Sequence, residues 1–376
     1  MRCQTADIII IGGGITGCCL AYELRKKSFS TILLEKDTIG AASSGRSGGG
    51  IRQQNRVPQE LPLAMLSKKV WQRMARELDT DFEYRQNGNL KLLLSESEIR
   101  LYREKVERQR SAGLEVSFLN QKQVRELLPV LSRDIEIFGG TYCPSDGTAN
   151  PLLVTKAVAA EAGRLGADLH EHDTVTHVKK NRINGKTAIN VKTGKNSYES
   201  PVVINAAGAW SGDIFNQLGM HLPFEIKRSH ILVTQAILPV IKPFVSHPSG
   251  YMRQALNGNL HLGVSSQPVS GFDTSTDVDI FETIAGYYIK LFPFMEHLPI
   301  IRTWAGLTCW TPDAFPVIGP APGMEGFYLA AGFSGHGFCL GPGAARVLSQ
   351  VINGEQPDVD LECFSWKRFL TRGQIK

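Results

Sequence analysis

The stretch Asp7–Glu35, DIIIIGGGITGCCLAYELRKKSFSTILLE, constrains what this chain can fold into more than any other part of it. Ile8–Ile11 is an apolar run without a charge, the pattern of a strand buried on both faces of a parallel sheet. Gly12, Gly14 and Gly17 then spell G-x-G-x-x-G, a helix-like segment runs to Lys27, and a second apolar run, Thr31–Leu34, ends at Glu35. This predicts one βαβ unit with a tight first crossover. The glycines let backbone N–H groups approach a pyrophosphate, and the helix they open, through Ile15 and Thr16, points its positive end at that phosphate. Glu35 stands 18 residues past Gly17, near the place where an acidic side chain accepts hydrogen bonds from an adenosine ribose. A carboxylate there repels a 2′-phosphate, which disfavours NADP. The motif names an ADP moiety and leaves NAD and FAD both open.

A chain of 376 residues holds about two domains with full cores. No apolar run reaches the roughly 18 residues of a membrane span, and Met1–Asp7 has no basic-then-apolar signal pattern, so a cytoplasmic protein without a membrane span is expected. The net charge of +5 is spread thinly. Its densest cluster, Arg25–Lys27, sits where cations suit a helix C-terminus, so no nucleic-acid partner is expected. Seven cysteines, Cys3, Cys18, Cys19, Cys143, Cys309, Cys339 and Cys363, include no C-x-x-C pair. Neither a disulfide framework nor a metal site follows.

Beyond the first unit, IGAASSGRSGGGI (Ile39–Ile51) is either a flexible linker or a ligand loop. As a ligand loop, Ser43, Ser44 and Arg46 are donors for a pyrophosphate, and Gly48, Gly49 and Gly50 let backbone pass under a flat ring. Leu66, Val70, Met74 and Leu78 give residues 59–79 a helical stripe that reads as core. Helices are also expected over 96–111 and 121–128 and from Pro151 towards Gly166, and strands over 89–94, 168–171, 173–178 and 201–205. The last of these runs into AAGAW, where Ala206, Gly208 and Trp210 either meet the ligand or form a plain strand-to-helix turn. Residues 221–300 alternate apolar and polar positions with frequent Gly and Pro, which predicts antiparallel strands. Near the end, a strand over 326–331 leads through a glycine-rich turn containing Gly332, Gly335 and Gly337 to a helix from about Ala344 to Ile352. Trp304 and Trp310 read as core or as pocket lining.

GGGITG with Glu35, SSGRSGGGIRQQ, NAAGAW, RTWAG, TPDAFPVIG and AAGFSGHGF together resemble the D-amino-acid oxidase superfamily of FAD enzymes. The whole chain is most similar to catalytic β subunits of heteromeric dye-linked L-proline dehydrogenases, sarcosine oxidases and opine or D-hydroxyproline dehydrogenases. The resemblance implies an α/β fold, a Rossmann-like FAD-binding domain of the glutathione-reductase type (1–55, 140–220 and 301–376). Into it is inserted an α+β substrate domain on an antiparallel sheet (56–139 and 221–300). It implies oxidation of a C–N bond by hydride transfer to flavin N5, with the imine then hydrolysed by water. It also implies partner subunits of a dehydrogenase complex, and it adds Lys36, Val175, Gly306 and Phe338 to the cofactor-binding set.

Within that resemblance, Arg52 corresponds to an arginine that binds the substrate carboxylate. A surface ion pair or a flavin contact remains open for it. Tyr251, Arg302 and Cys339 complete the expected substrate-binding set. Cys339 stands where the family has a second carboxylate-binding lysine, so the clamp is incomplete and sarcosine itself is put in doubt. Gly306 replaces a cysteine that holds FAD covalently, and non-covalent FAD is expected. ANPLLV (149–154) lacks the histidine that links covalent FMN, so any FMN would be held non-covalently at a subunit boundary. His261 stands where a lysine thought to activate oxygen would be, which argues for a dehydrogenase. His336 is read first as ordering the loop at the flavin and second as a proton-transfer group. The rivals are a stand-alone glycine or D-amino-acid oxidase producing hydrogen peroxide, a flavin-binding electron-relay subunit without substrate chemistry, and an NAD-linked dehydrogenase.

Overall fold

The computed structural model describes residues 3–183, 186–264 and 266–370. Ile8–Ile11 is a strand inside a six-stranded sheet, ordered Val317–Pro320, Phe327–Ala331, Val202–Asn205, Ile8–Ile11, Thr31–Leu34, Asp168–His170. Every pairing is parallel except the one joining Val317–Pro320 to Phe327–Ala331. Alternation along the run explains why all four isoleucines are needed. Ile8 and Ile10 pack with Cys18, Leu20, Val154, Val158 and Leu340 of the helices Ile15–Lys26, Pro151–Arg164 and Gly337–Ile352. Ile9 and Ile11 face the other way, onto Val178, Ile189, Val191 and Tyr198. Those residues belong to a four-stranded sheet of Cys3–Thr5, Ser197–Ser200, Lys186–Thr193 and Val175–Ile183. Each such isoleucine contributes about 1.5–3 kcal/mol by burial. The unit is thus three layers, helices on one face of the parallel sheet and a smaller sheet on the other.

A second, nine-stranded sheet is built from Ser117–Leu119, Gly139–Cys143, Asn89–Leu93, Phe244–His247, Gly250–Gln254, Leu260–Val264, Glu225–Thr234 and Gln267–Pro268, with Ile300–Trp310 paired to Glu225–Thr234. Its pairings are antiparallel except Phe244–His247 on Asn89–Leu93. Two expected boundaries are corrected by this hydrogen bonding. The expected limits at 139/140 and 300/301 cut through Gly139–Cys143 and Ile300–Trp310, which are strands of the second sheet throughout. Of the expected unit limits, residues 1–2 and 371–376 lie outside the described residues.

The last helix begins at Gly337, seven residues before the expected Ala344. Its glycines are there because two helices pass close by. A Cβ on Gly341 would lie 2.6 Å from Thr16 Oγ1, and one on Gly343 would lie 2.7 Å from Ser67 Cβ in the helix Leu61–Glu77. Pro342 sits inside this helix and removes a backbone donor. Ser67 repairs the turn. Its hydroxyl accepts from Gly343 N–H (3.0 Å) and donates to the Cys339 carbonyl (2.5 Å), which also receives Trp71 Nε1–H at 3.0 Å. The helix Val278–Leu291, within the stretch expected to be strands, buries Ile284, Tyr288 and Leu291 under the second sheet.

Candidate active site

A cavity of about 720 Å³ opens at the carboxyl ends of Ile8–Ile11, Thr31–Leu34 and Val202–Asn205 and is walled on its far side by the nine-stranded sheet. In an open parallel sheet this is where ligands sit. Gly12 has φ of +111°, and a Cβ on it would lie 2.5 Å from the Ala206 carbonyl oxygen. Only glycine lets these two crossovers touch. The helix Ile15–Lys26 starts at Gly14 with no side-chain cap and no acid in its first turn. Its positive end therefore faces the cavity wall formed by Gly14, Ile15 and Thr16. Glu35 accepts Gly13 N–H at Oε2 (2.7 Å) and Asp37 N–H at Oε1 (2.9 Å), which fixes the carboxylate while leaving further lone pairs on each oxygen. Lys36 stands 3.9 Å over the Trp210 ring, and Val175 and Gly208 line the same end. This end fits an ADP moiety, with glycine backbone and a helix terminus for phosphate and a fixed acid for ribose.

The segment 39–51 is no flexible linker. Ser43 donates its hydroxyl to the Leu307 carbonyl, and Ser44 Oγ accepts Ile15 N–H at 2.9 Å. Arg46 donates to the Ala41 (3.1 Å) and Ala305 (2.9 Å) carbonyls, and its own carbonyl accepts Trp304 Nε1–H at 3.0 Å. Ser43, Ser44 and Arg46 line the cavity, but these bonds use them to fasten the loop. The glycine run also has a different partner from the one expected. A Cβ on Gly48 would lie 2.1 Å from the Tyr251 ring, and one on Gly50 would lie 2.8 Å from the Phe244 ring. The flat rings that need the room are the protein's own, stacked on each other at 5.3 Å. Gly49, Gly50 and Gly17 stand outside the cavity. Gly49 abuts the Ala149 carbonyl, Gly50 pairs with Thr148, and a Cβ on Gly17 would meet the Gly12 carbonyl.

At the far end Arg52 lines the cavity with its guanidinium 5.3 Å from the Phe244 ring centroid. Burial lowers its pKa from the ordinary arginine value. Among the described residues its side-chain nitrogens have no hydrogen-bond or ion-pair partner. Its backbone, by contrast, is held on both sides. Arg52 N–H donates to Cys339 Sγ (3.3 Å), the thiol donates back to the Arg52 carbonyl (3.2 Å), and Asp146 accepts Gln53 N–H at 2.7 Å. His336 precedes the last helix, and its Nδ1 lies 2.9 Å from Glu60 Oε1. Gly332, Gly335, Gly337 and Phe338 line the wall beside it.

Residues 7–351 match the family described as DAO, FAD dependent oxidoreductase. The chain belongs to that family. FAD is the family's cofactor, and the acid-free first turn of the helix and Glu35 suit it. The chain is 28% identical to the sarcosine oxidase subunit beta of an Arthrobacter species over 98% of its own length and 92% of that protein's. It is also 28% identical to the glycine oxidase of Bacillus subtilis, over 94% and 95% of the two chains. The crystal structure of L-proline dehydrogenase from P. horikoshii superposes with a TM-score of 0.92 at 30% identity, covering both chains fully.

Three residues expected at the substrate end of this FAD oxidoreductase are also not on the cavity wall. His261 packs edge-on against Trp304, with ring centroids 5.8 Å apart; its register puts it on the same sheet face as Tyr251 and Ile231, but Trp304 rather than the cavity is what it meets. Arg302 is exposed, its guanidinium 5.6 Å from the Trp304 ring. Cys339 is spent on the Arg52 backbone, and burial pushes its thiol up. Gly306 does line the cavity, as do Trp310 and Cys309, and burial pushes the Cys309 thiol up to about 12. The sequence reading missed Asn55, Lys91, Tyr102, Ser246 and His247, all on the wall near Arg52 and Tyr251. No local motif marks them. Lys91 was the one visible signal, a cation between Leu90 and Leu92 in an otherwise apolar strand.

Proposed function

We propose that this FAD-dependent oxidoreductase is a dehydrogenase that oxidises the C–N bond of an amino acid or secondary amine, of proline, hydroxyproline, sarcosine or opine type. The observation that carries the reading is Arg52, a half-buried guanidinium on the cavity wall with no hydrogen-bond or ion-pair partner among the described residues. Its fork is matched to a carboxylate, and a carboxylate adjacent to the reacting carbon would be held by it in one orientation. FAD, when bound, supplies the hydride acceptor. The protein's part is then alignment and exclusion of bulk water. Arg52 fixes the carboxylate, and Tyr251, seated between Gly48 and Gly263, closes the wall beside it. The neutral ring of His336 offers Nε2 as an acceptor for a proton leaving the amine. Gly306 and the protonated Cys309 support non-covalent FAD.

Action as one subunit of a larger assembly belongs to the same proposal, supported by likeness to a sarcosine oxidase subunit beta from Arthrobacter, and any FMN would sit at such a subunit boundary. A second reading, a self-sufficient oxidase releasing hydrogen peroxide, is favoured by one observation. His261 is not on the cavity wall, whereas an ammonium group, Lys91, is. The test is anaerobic mixing of the FAD-loaded chain with proline, sarcosine, glycine and opines, followed by readmission of air. Loss of the flavin band with one of them, slow to return in air, is expected. Fast return with peroxide formation favours the oxidase, and a band that no amine bleaches refutes the proposal.

A further inference from the structure

We propose that Lys91 binds a second carboxylate on the substrate, so that the amine oxidised is a dicarboxylic one, such as an N-(carboxyalkyl) amino acid. This rests on the reading of Arg52 as the anchor for the first carboxylate.

The argument begins with where charge is and is not. Along the whole cavity wall the acids are Glu35 and Asp213, both at the nucleotide end beside Gly13 and Trp210. The substrate end carries Arg52 and Lys91 and no acid. Nearby carboxylates are committed elsewhere. Glu98 accepts Leu94 N–H at 2.9 Å at the start of the helix Glu96–Ser111, and Asp146 accepts the Gln53 and Gln54 amides. Among the described residues Lys91 has no ion-pair partner. Leaving two cations together at a half-buried site without a counter-ion is costly, and such an arrangement persists where a ligand brings the charge.

Register then gives the spacing. Lys91 pairs with Ser246, and Asn89 pairs with Phe244, on adjacent parallel strands. Arg52 lies over the Phe244 ring. Phe244 and Ser246 are two residues apart and so point to the same face, with their Cα atoms about 7 Å apart. Lys91 therefore rises from the same sheet face as Phe244, one strand repeat from the ring over which Arg52 sits, a gap that two carboxylates joined through a secondary amine can span. Tyr102 stands between Lys91 (6.0 Å from the ring centroid) and Lys105 (4.6 Å), which keeps the ammonium group directed along the aromatic face. Burial pulls Lys91 down to about 8, against the opposing charge of Glu98, which makes no ion pair with it.

The test uses the FAD-loaded full chain, its Lys91→Met variant, which removes the charge and keeps the length, and Lys91→Arg. Anaerobic flavin reduction is compared for iminodiacetate against N-ethylglycine, and equilibrium binding for glutarate against butyrate by calorimetry. The expected result is a preference of about tenfold or more for each diacid in the parent chain, retained in part by Lys91→Arg and reduced to near unity in Lys91→Met. Equal binding of glutarate and butyrate, or a preference that Lys91→Met leaves intact, overturns the inference. If glutarate binds in a Lys91-dependent way and no amine bleaches the flavin, the second carboxylate site stands, and the dehydrogenase reading falls together with the dicarboxylic amine as its substrate. Bleaching by amines without any diacid preference has the opposite meaning.

Discussion

His336 Nδ1 lies 2.9 Å from Glu60 Oε1, and Glu60 Oε2 lies 3.4 Å from an Arg56 terminal nitrogen, all three side chains coming together beneath the cavity. Burial, and then the Arg56 charge, holds His336 down at about 4. Burial alone would push Glu60 up, but Arg56 and His336 hold it below the usual carboxylate range. At neutral pH the pair is therefore a neutral imidazole donating to a carboxylate, a tautomer assigned from its partner.

Removing the carboxylate leaves Arg56 buried and uncompensated. Glu60→Gln should destabilise the fold by about 3–5 kcal/mol in chemical denaturation. A loss below about 1 kcal/mol would mean the arginine finds solvent without cost.

Acid should weaken the fold through histidines. His336 is lowered to about 4 by burial and Arg56, His247 to about 3 by burial and Lys91, and His261 to about 3 by burial and Arg253. Below about pH 6.5 the unfolded chain takes up protons that the native chain refuses, so stability rises with pH in that window. The stability lost on acidification grows from pH 6.5 down towards 4. A denaturation midpoint that is flat from pH 7 to pH 5 would contradict this.

Arg52→Lys keeps a positive charge and loses the fork. It should weaken transition-state binding of the amine by about 2 kcal/mol or more while the flavin spectrum stays that of the parent, and Arg52→Ala should cost more, within about 2–5 kcal/mol. Steady-state kcat/KM reads the loss. An unaltered kcat/KM would remove Arg52 from the substrate.

Diacid binding should weaken as pH rises through about 8, where Lys91 loses its proton. Glu98 opposes that loss, and Arg52 and Lys105 promote it. Tyr102 and His247 also face the group, and His247 stays neutral throughout this range. Glutarate titrations at pH 7 and pH 9.5 decide, with tighter binding expected at pH 7. Equal affinities would show that the ammonium charge is not what holds the ligand.

Ser67→Ala deletes the hydroxyl that spans the break at Pro342, leaving a buried Gly343 N–H without its acceptor. The cost should be about 1–3 kcal/mol in thermal or chemical unfolding. No change would show that the helix mends itself by another route.

The nucleotide end was legible because its signals are local, with glycine spacing, an apolar run and an acid within one βαβ unit. The substrate end was not, because its residues meet only through long-range pairing. Lys91 and Ser246 are neighbours across two strands and 155 positions apart in the chain. The last helix was shortened in the sequence reading because Gly341, Pro342 and Gly343 read as turn formers. Close approach to Thr16 and Ser67 overrides that propensity. Val278–Leu291 had a usable sign, buried Ile284, Tyr288 and Leu291 at spacings of four and three, which the surrounding alternation masked.

Ser43, Arg46 and Trp304 tie the loop 39–51 to the strand Ile300–Trp310, and that strand is zipped along its length to Glu225–Thr234. The parallel and antiparallel halves are thus riveted at the very seam where a hinge would have to lie. A swing of one half against the other would have to break these three bonds, whereas rearrangement of surface segments leaves them intact.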